Sequence, residues 1–178
     1  MTTTLFTNAH IATGEPGSTA ASTLPLQDIL VTDGVFTAFG PGLAQQYEAQ
    51  GGDLAAIEVV DLGGKLVCPP FCDTHLHLDY VFTARKPGAV NESGTLFEGI
   101  QRWSETKSDL TVDEIKQRAK IGIKKEMLHG VQLIRSHADV TDPNLTSLKA
   151  LLELKEELKD TVTLQIVSFP QEGIYSYE

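Results

Sequence analysis

Over residues 1–66, short apolar-rich bursts are separated by turn-like Gly, Asp and Ser residues. That pattern predicts short strands. Leu5–Ile11 is a first strand, Asp28–Val31 a second, Val35–Phe39 a third and Ile57–Leu62 a fourth. Asp33-Gly34 lies between the second and third, where a tight hairpin turn needs positive φ. Gly63-Gly64-Lys65 marks a further turn. The Gly-, Ser- and Thr-rich stretch Gly14–Ser22 predicts a loop.

From Leu66 the pattern changes. An apolar run, Leu66–Cys72, leads into Asp73-Thr74-His75-Leu76-His77. Its two prolines suit a strand entry or an irregular crossing between domains better than a central ladder. Residues 80–110 show no clear periodicity, and a loop of that length is functional or disordered. Thr111 and Glu114 have capping-box spacing. Ile115, Ala119, Ile123 and Met127 then recur every four residues, predicting a helix that ends at Gly130. Val131–His137 is a strand. Asp142-Pro143 opens the next helix, with Leu148, Leu151, Leu152 and Leu158 on its buried face. Val162–Phe169 is a third strand. Helices between strands imply parallel pairing. The expected division is residues 1–66 and 67–178, an α/β chain whose second part is either a barrel opening or a small open sheet.

Length sharpens this. The chain has 178 residues, short of the roughly 250 of a complete (β/α)8 barrel. A net charge of −10 with no basic run argues against nucleic-acid and anionic-membrane partners. No signal-peptide pattern or bilayer-length apolar stretch is visible, so a cytoplasmic protein is expected. Cys68 and Cys72 do not have zinc or redox-motif spacing and read as two small buried thiols in a reducing compartment.

The candidate chemistry lies at strand ends. Residues i and i+2 of a strand point the same way, so His75 and His77 can converge on one ion. Imidazole suits zinc or iron. The competing reading is a pair of half-exposed loop histidines. Asp73 and Asp79 either orient an imidazole through its other nitrogen or cap the loop. His137 closes the next strand, on the same rim as a ligand-facing group or as a hydrogen-bonded rim residue. His129 suits a helix C-terminus, and His10 has no nearby partner. Gln171 offers a donor and an acceptor to a planar amide. Glu172 is either an acid/base group or a solvated carboxylate.

Several segments together resemble the amidohydrolase superfamily. Thr32–Gly40 is similar to its small composite β domain. Pro69-Pro70-Phe71 followed by His75-Leu76-His77-Leu78-Asp79 resembles its first barrel strand. Pro-Pro in place of the usual Pro-Gly, with Ser93–Ile100 and Phe169–Ile174, resembles the cytosine deaminase subgroup. The resemblance implies a small β-sandwich-like domain followed by the start of a (β/α)8 TIM-like barrel, about three strands of it and therefore incomplete. It implies iron or zinc on His75 and His77, and Gln171 and Leu96 at the substrate. The implied reaction is hydrolytic deamination of cytosine to uracil and ammonia. The family's remaining metal ligands and its acid/base residues would lie beyond Glu178, so this chain is expected to be truncated and inactive alone. Full length, it would be a homo-oligomer acting on a nucleobase. The alternatives are a noncatalytic fragment completed by a second chain, and a related amidohydrolase acting on another cyclic amidine or imide.

Overall fold

The structure is a computed structural model that describes residues 2–12 and 25–175, with Arg85 described by its backbone alone. The expected loop at Gly14–Ser22 lies outside the described residues. The chain divides into two compact units, residues 1–69 and 70–178.

In the first unit, β1 (Thr3–Ile11), β2 (Leu26–Thr32), β3 (Val35–Gly40), β4 (Glu58–Asp61) and β5 (Leu66–Val67) form one five-stranded sheet. The order is β3-β2-β1-β4, with β5 also on β1. The β1–β2 and β2–β3 pairs are antiparallel, while β4 and β5 run parallel to β1. Asp33 and Gly34 both have positive φ, 50° and 78°, as a tight hairpin between twisted strands requires. A helix that the pattern did not reveal, α1 (Leu43–Ala49), is tied down by Asp28. The Asp28 carboxylate accepts from the amides of Asn8 and Leu43 at 3.1 and 2.9 Å. Among the described residues, Leu5, Ala9, Ile29 and Leu43 are the buried apolar residues of this unit.

In the second unit, β6 (Phe71–Leu76), β7 (Val131–Asp139) and β8 (Thr163–Phe169) form a parallel sheet in that order. α3 (Val112–Leu128) connects β6 to β7, and α4 (Thr146–Glu157) connects β7 to β8. This alternation is the opening of a (β/α) barrel. Its core gathers Leu78, Ile115, Ile123, Ile134, Leu151 and Leu154, among others. Thr111 caps α3 by accepting from the Glu114 amide at 3.2 Å. Glu114 does not reach back in return; its carboxylate pairs with Lys86 at 2.5 Å.

The run Leu66–Cys72 crosses between the two units, as its prolines suggested: Pro69-Pro70 separates β5 from β6, which belong to different sheets. Four other expectations change. Cys68 and Cys72 are consequently exposed rather than buried. Residues 80–110 are not a featureless loop: they contain α2 (Leu96–Lys107). Helix α4 begins at Thr146 rather than at Pro143, because Asp142 binds the amides of Asn144 and Thr146, both at 2.9 Å, and holds the chain in a turn. On α4 the buried stripe runs through Ser147, Ala150, Leu151 and Leu154. Leu152 sits one step, about 100°, round the helix from Leu151 and is exposed. Among the described residues, no helix is long and apolar enough to cross a membrane.

Candidate metal and ligand site

The end of β6 carries the predicted histidine pair. Before it, the register with β7 slips: Asp73 faces Ile134, but Leu76 faces Ser136. β6 therefore accommodates one more residue than β7 over that stretch, a bulge that re-aims the strand end. His75 and His77 converge, their Nε2 atoms 3.3 Å apart. Two nitrogens about 2.0–2.1 Å from one tetrahedral ion stand roughly 3.3 Å apart, so the pair fits a shared cation.

The rest of the cluster fixes the His77 ring. A carbonyl oxygen can only accept, so the 3.1 Å contact places the proton on His77 Nδ1, donating to the backbone oxygen of His137. Nε2 is then left as a lone-pair donor, the arrangement seen behind metal-bound imidazoles. Burial, then the neighbouring His75 and His137, lower the pKa of His77 and favour the neutral ring. His137 joins the rim as expected and stacks on His75, with ring centroids 4.1 Å apart. Tyr80 stacks on His77 at 4.8 Å, and Phe169 meets the His77 ring edge-on at 5.3 Å. Burial, then the charges of Asp79 and Asp139, push the Tyr80 hydroxyl up to about 12, so it stays protonated.

Neither flanking aspartate orients an imidazole. Asp73 accepts from the His75 backbone amide at 2.9 Å, a local turn bond. Asp79 is buried and accepts from the Asp139 amide at 2.8 Å; burial pushes its carboxyl up to about 6. His129 is the C-cap of α3, its Nδ1 donating to the Lys125 carbonyl at 2.7 Å. His10 lies in the other unit, its Nδ1 buried with no hydrogen-bond partner.

A cavity of about 350 Å³ opens one ring away from the imidazoles, since Tyr80 lines it as well. Leu96, at the start of α2, and Gln171, just after β8, line it together with Asn91, Ile100 and Trp103. The structure thus brings the two expected substrate-facing residues to one hollow. Its wall from Asn91 to Thr95 is cross-braced. Asn91 donates to the Thr95 carbonyl at 2.9 Å, and Glu98 accepts from the amides of Glu92 and Ser93 at 3.1 and 2.6 Å. The Ser93 bonds first, then the Glu92 amide, hold the Glu98 carboxyl down at about 2.

Behind the cavity is a polar cluster that pattern reading missed. Asp139 Oδ2 accepts from the Trp103 indole at 2.7 Å and from Lys107 Nζ at 3.2 Å, while its Oδ1 accepts from the Thr141 amide and hydroxyl at 2.8 and 2.6 Å. Lys107 also donates to Thr141 Oγ1 at 2.7 Å and to Glu172 Oε1 at 2.6 Å. Glu172 is therefore an ion-pair partner, not a solvated loop carboxylate. Burial alone would raise Asp139, but the Thr141, Trp103 and Lys107 donors outweigh it and hold the carboxyl below its ordinary range. The helix that brings Trp103 and Lys107 to this cluster did carry a signal: Thr95-x-x-Glu98 has capping-box spacing, and Thr95 accepts from the Glu98 amide at 3.3 Å.

Among the described residues, no group of three or more His, Cys, Asp or Glu is placed to hold a metal ion. The site offers the two imidazoles of His75 and His77.

Residues 58–178 match the sequence profile described as the amidohydrolase family. The chain is 35% identical over 120 residues to N-isopropylammelide isopropyl amidohydrolase of Pseudomonas sp. (strain ADP), covering 65% of this chain and 30% of that protein. It is 27% identical over 148 residues to pterin deaminase of Rhizobium rhizogenes (strain K84 / ATCC BAA-868), covering 80% and 31%. In three dimensions it resembles 5-methylcytosine deaminase from Klebsiella pneumoniae liganded with 5-fluorocytosine. The TM-score is 0.77 with 40% identity, over 97% of this chain and 38% of that one. The chain spans about a third of the length of these relatives.

Proposed function

Because the chain belongs to the amidohydrolase family, we propose that it forms the front of a metal-dependent deaminase site for a cyclic amidine, with cytosine or a close relative as substrate. The observation that carries this reading is the 3.3 Å convergence of the His75 and His77 Nε2 atoms, with His77 Nδ1 committed to a backbone carbonyl. Zinc or iron suits two imidazoles; when bound, such an ion activates water for hydrolysis.

The chain's own residues supply binding and orientation. His75 and His77 are the ligands. Gln171 presents one amide donor and one acceptor to the ring's amide edge, and Leu96 and Trp103 give apolar surface to its faces. Tyr80, held protonated, is a hydroxyl donor between the imidazoles and the cavity. The likeness to 5-methylcytosine deaminase supports the pyrimidine ring. The likeness to the ammelide hydrolase favours a second reading, a substituted triazine in the same hollow.

Two imidazoles fall short of the three protein ligands usual for a catalytic ion. The proposal therefore includes that these 178 residues alone do not turn over cytosine and that the remaining ligands come from outside them. The test loads the purified chain with zinc or ferrous iron and assays ammonia release from cytosine, 5-methylcytosine and N-alkyl ammelides. The expected result is metal binding that His75→Ala and His77→Ala abolish, with no turnover. Sustained turnover by monomeric chain, or zinc binding indifferent to both substitutions, overturns the reading.

A further inference from the structure

The buried cation behind the cavity contacts both of the elements that line it. Lys107 is the last residue of α2, whose first residue is Leu96 and whose middle contributes Gly99, Ile100 and Trp103 to the cavity. Its ammonium reaches across to Glu172, the residue after Gln171, at 2.6 Å. It is anchored from below by Asp139 and Thr141 at the end of β7, at 3.2 and 2.7 Å. Within the turn after β8, Gln171 N donates to the Phe169 carbonyl and Gly173 N to the Pro170 carbonyl, both at 3.0 Å, and the Phe169 carbonyl also accepts from Val140 N at 3.1 Å. Glu172 adds the side-chain link from this turn to α2.

We propose that Lys107 and Glu172 are positioning residues that lock the Gln171 turn to helix α2, so that the two sides of the ligand cavity move as one piece. The importance of this for substrate rests on the ligand reading given above; the tether itself does not. Lys107 is 7% exposed and Glu172 19%, so the pair is shielded from the solvent that makes most surface ion pairs weak. It is also asymmetric. Loss of Glu172 leaves Lys107 its Asp139 and Thr141 partners, whereas loss of Lys107 strips three acceptors at once. Glu172 is thus the place to cut the tether without emptying the cluster.

The test uses the nitrogen-15-labelled full chain. Glu172→Ala is expected to lower hydrogen-exchange protection of the Gln171 and Gly173 amides by about tenfold, the mark of local opening. The Ile166 amide in β8 and the fluorescence of Trp103, the protein's single tryptophan, are expected to stay as in the parent. Glu172→Gln retains an oxygen acceptor for Lys107 and should give an intermediate loss; it also serves if the alanine variant folds poorly. Unchanged protection at Gln171, or a loss spread equally through β8, overturns the tether. A parallel titration with cytosine reads the Gln171 side-chain amide. If cytosine leaves that signal unmoved in the parent while Glu172→Ala still frees the turn, the tether stands and the ligand reading fails.

Discussion

Two polar regions sit two residues apart on β7, and they contrast in how far their hydrogen-bonding capacity is used. At His137 the chain meets an imidazole rim, where the Nε2 atoms of His75 and His77 face each other. At Asp139 it enters a buried cluster in which one carboxylate accepts four donors. Both regions are rich in groups that look catalytic in a sequence. Only the first keeps electron pairs aimed at a common point. The saturated cluster is architecture, because a carboxylate holding four donors and a cation holding three acceptors have little left for a ligand. The difference separates a site from its scaffold better than residue type does.

The contrast can be broken most forcefully at Lys107. Lys107→Met leaves Asp139 and Glu172 without their cation and should cost about 3–5 kcal/mol of stability in urea unfolding, the range for halving a buried ion pair. A cost under about 1 kcal/mol would place the cluster with ordinary surface pairs. Trp103→Phe removes one donor from Asp139 and keeps the ring. About 1.5–3 kcal/mol should be lost, as for a hydrogen bond to a charged group, again by urea unfolding. At the rim the signs reverse. His75→Ala with His77→Ala should leave metal-free stability within about 1 kcal/mol of the parent. Zinc affinity in calorimetric titration should fall at least about tenfold. Destabilisation of the metal-free protein comparable to Lys107→Met would erase the distinction between the regions.

The smallest effect sharpens the comparison from a third position. Glu98 is a saturated carboxylate that braces the segment 91–95, its pKa depressed to about 2 by the Ser93 bonds and the Glu92 amide. A depressed carboxyl stabilises above its unfolded pKa and loses that contribution as pH falls through the folded value. The bracing of residues 91–95 should therefore hold at pH 5 and loosen toward pH 2. Amide exchange at Glu92 and Ser93 reads this, and Glu98→Gln should remove the pH dependence.

Much of this molecule was legible because its elements state their own boundaries. The Asp33-Gly34 turn, the Thr111 cap, the four-residue stripe of α3 and the strand-helix alternation after it all follow from local chemistry. The histidine pair and Gln171 were singled out from residue chemistry at strand ends, while Leu96 came from the resemblance alone; Gln171 and Leu96 line one hollow. α2 was overlooked although Leu96, Ile100 and Trp103 fall at i, i+4 and i+7: the stripe is only three residues long, Leu96 and Phe97 are exposed, and Trp103 and Lys107 are the helix's buried residues. The partners of that lysine stand 32, 34 and 65 residues away in sequence. No local window contains such bonds. The split at Pro69-Pro70 was written in the chain as two missing amide donors, and the buried-thiol reading failed because the strands on either side joined different sheets.

The slip between Asp73 and Leu76 has a consequence for how the histidine motif should be recognised. With β6 taking three steps where β7 takes two, the direction of both imidazoles depends on arithmetic along the strand. Deleting Thr74 would spare every histidine, aspartate and glutamine of the site and leave Asp73 and Leu76 opposite Ile134 and Ser136, but it would remove the extra residue and with it the added twist that re-aims the strand end. A His-x-His spelling alone does not specify the chemistry; the extra residue between Asp73 and Leu76 belongs to the motif as well.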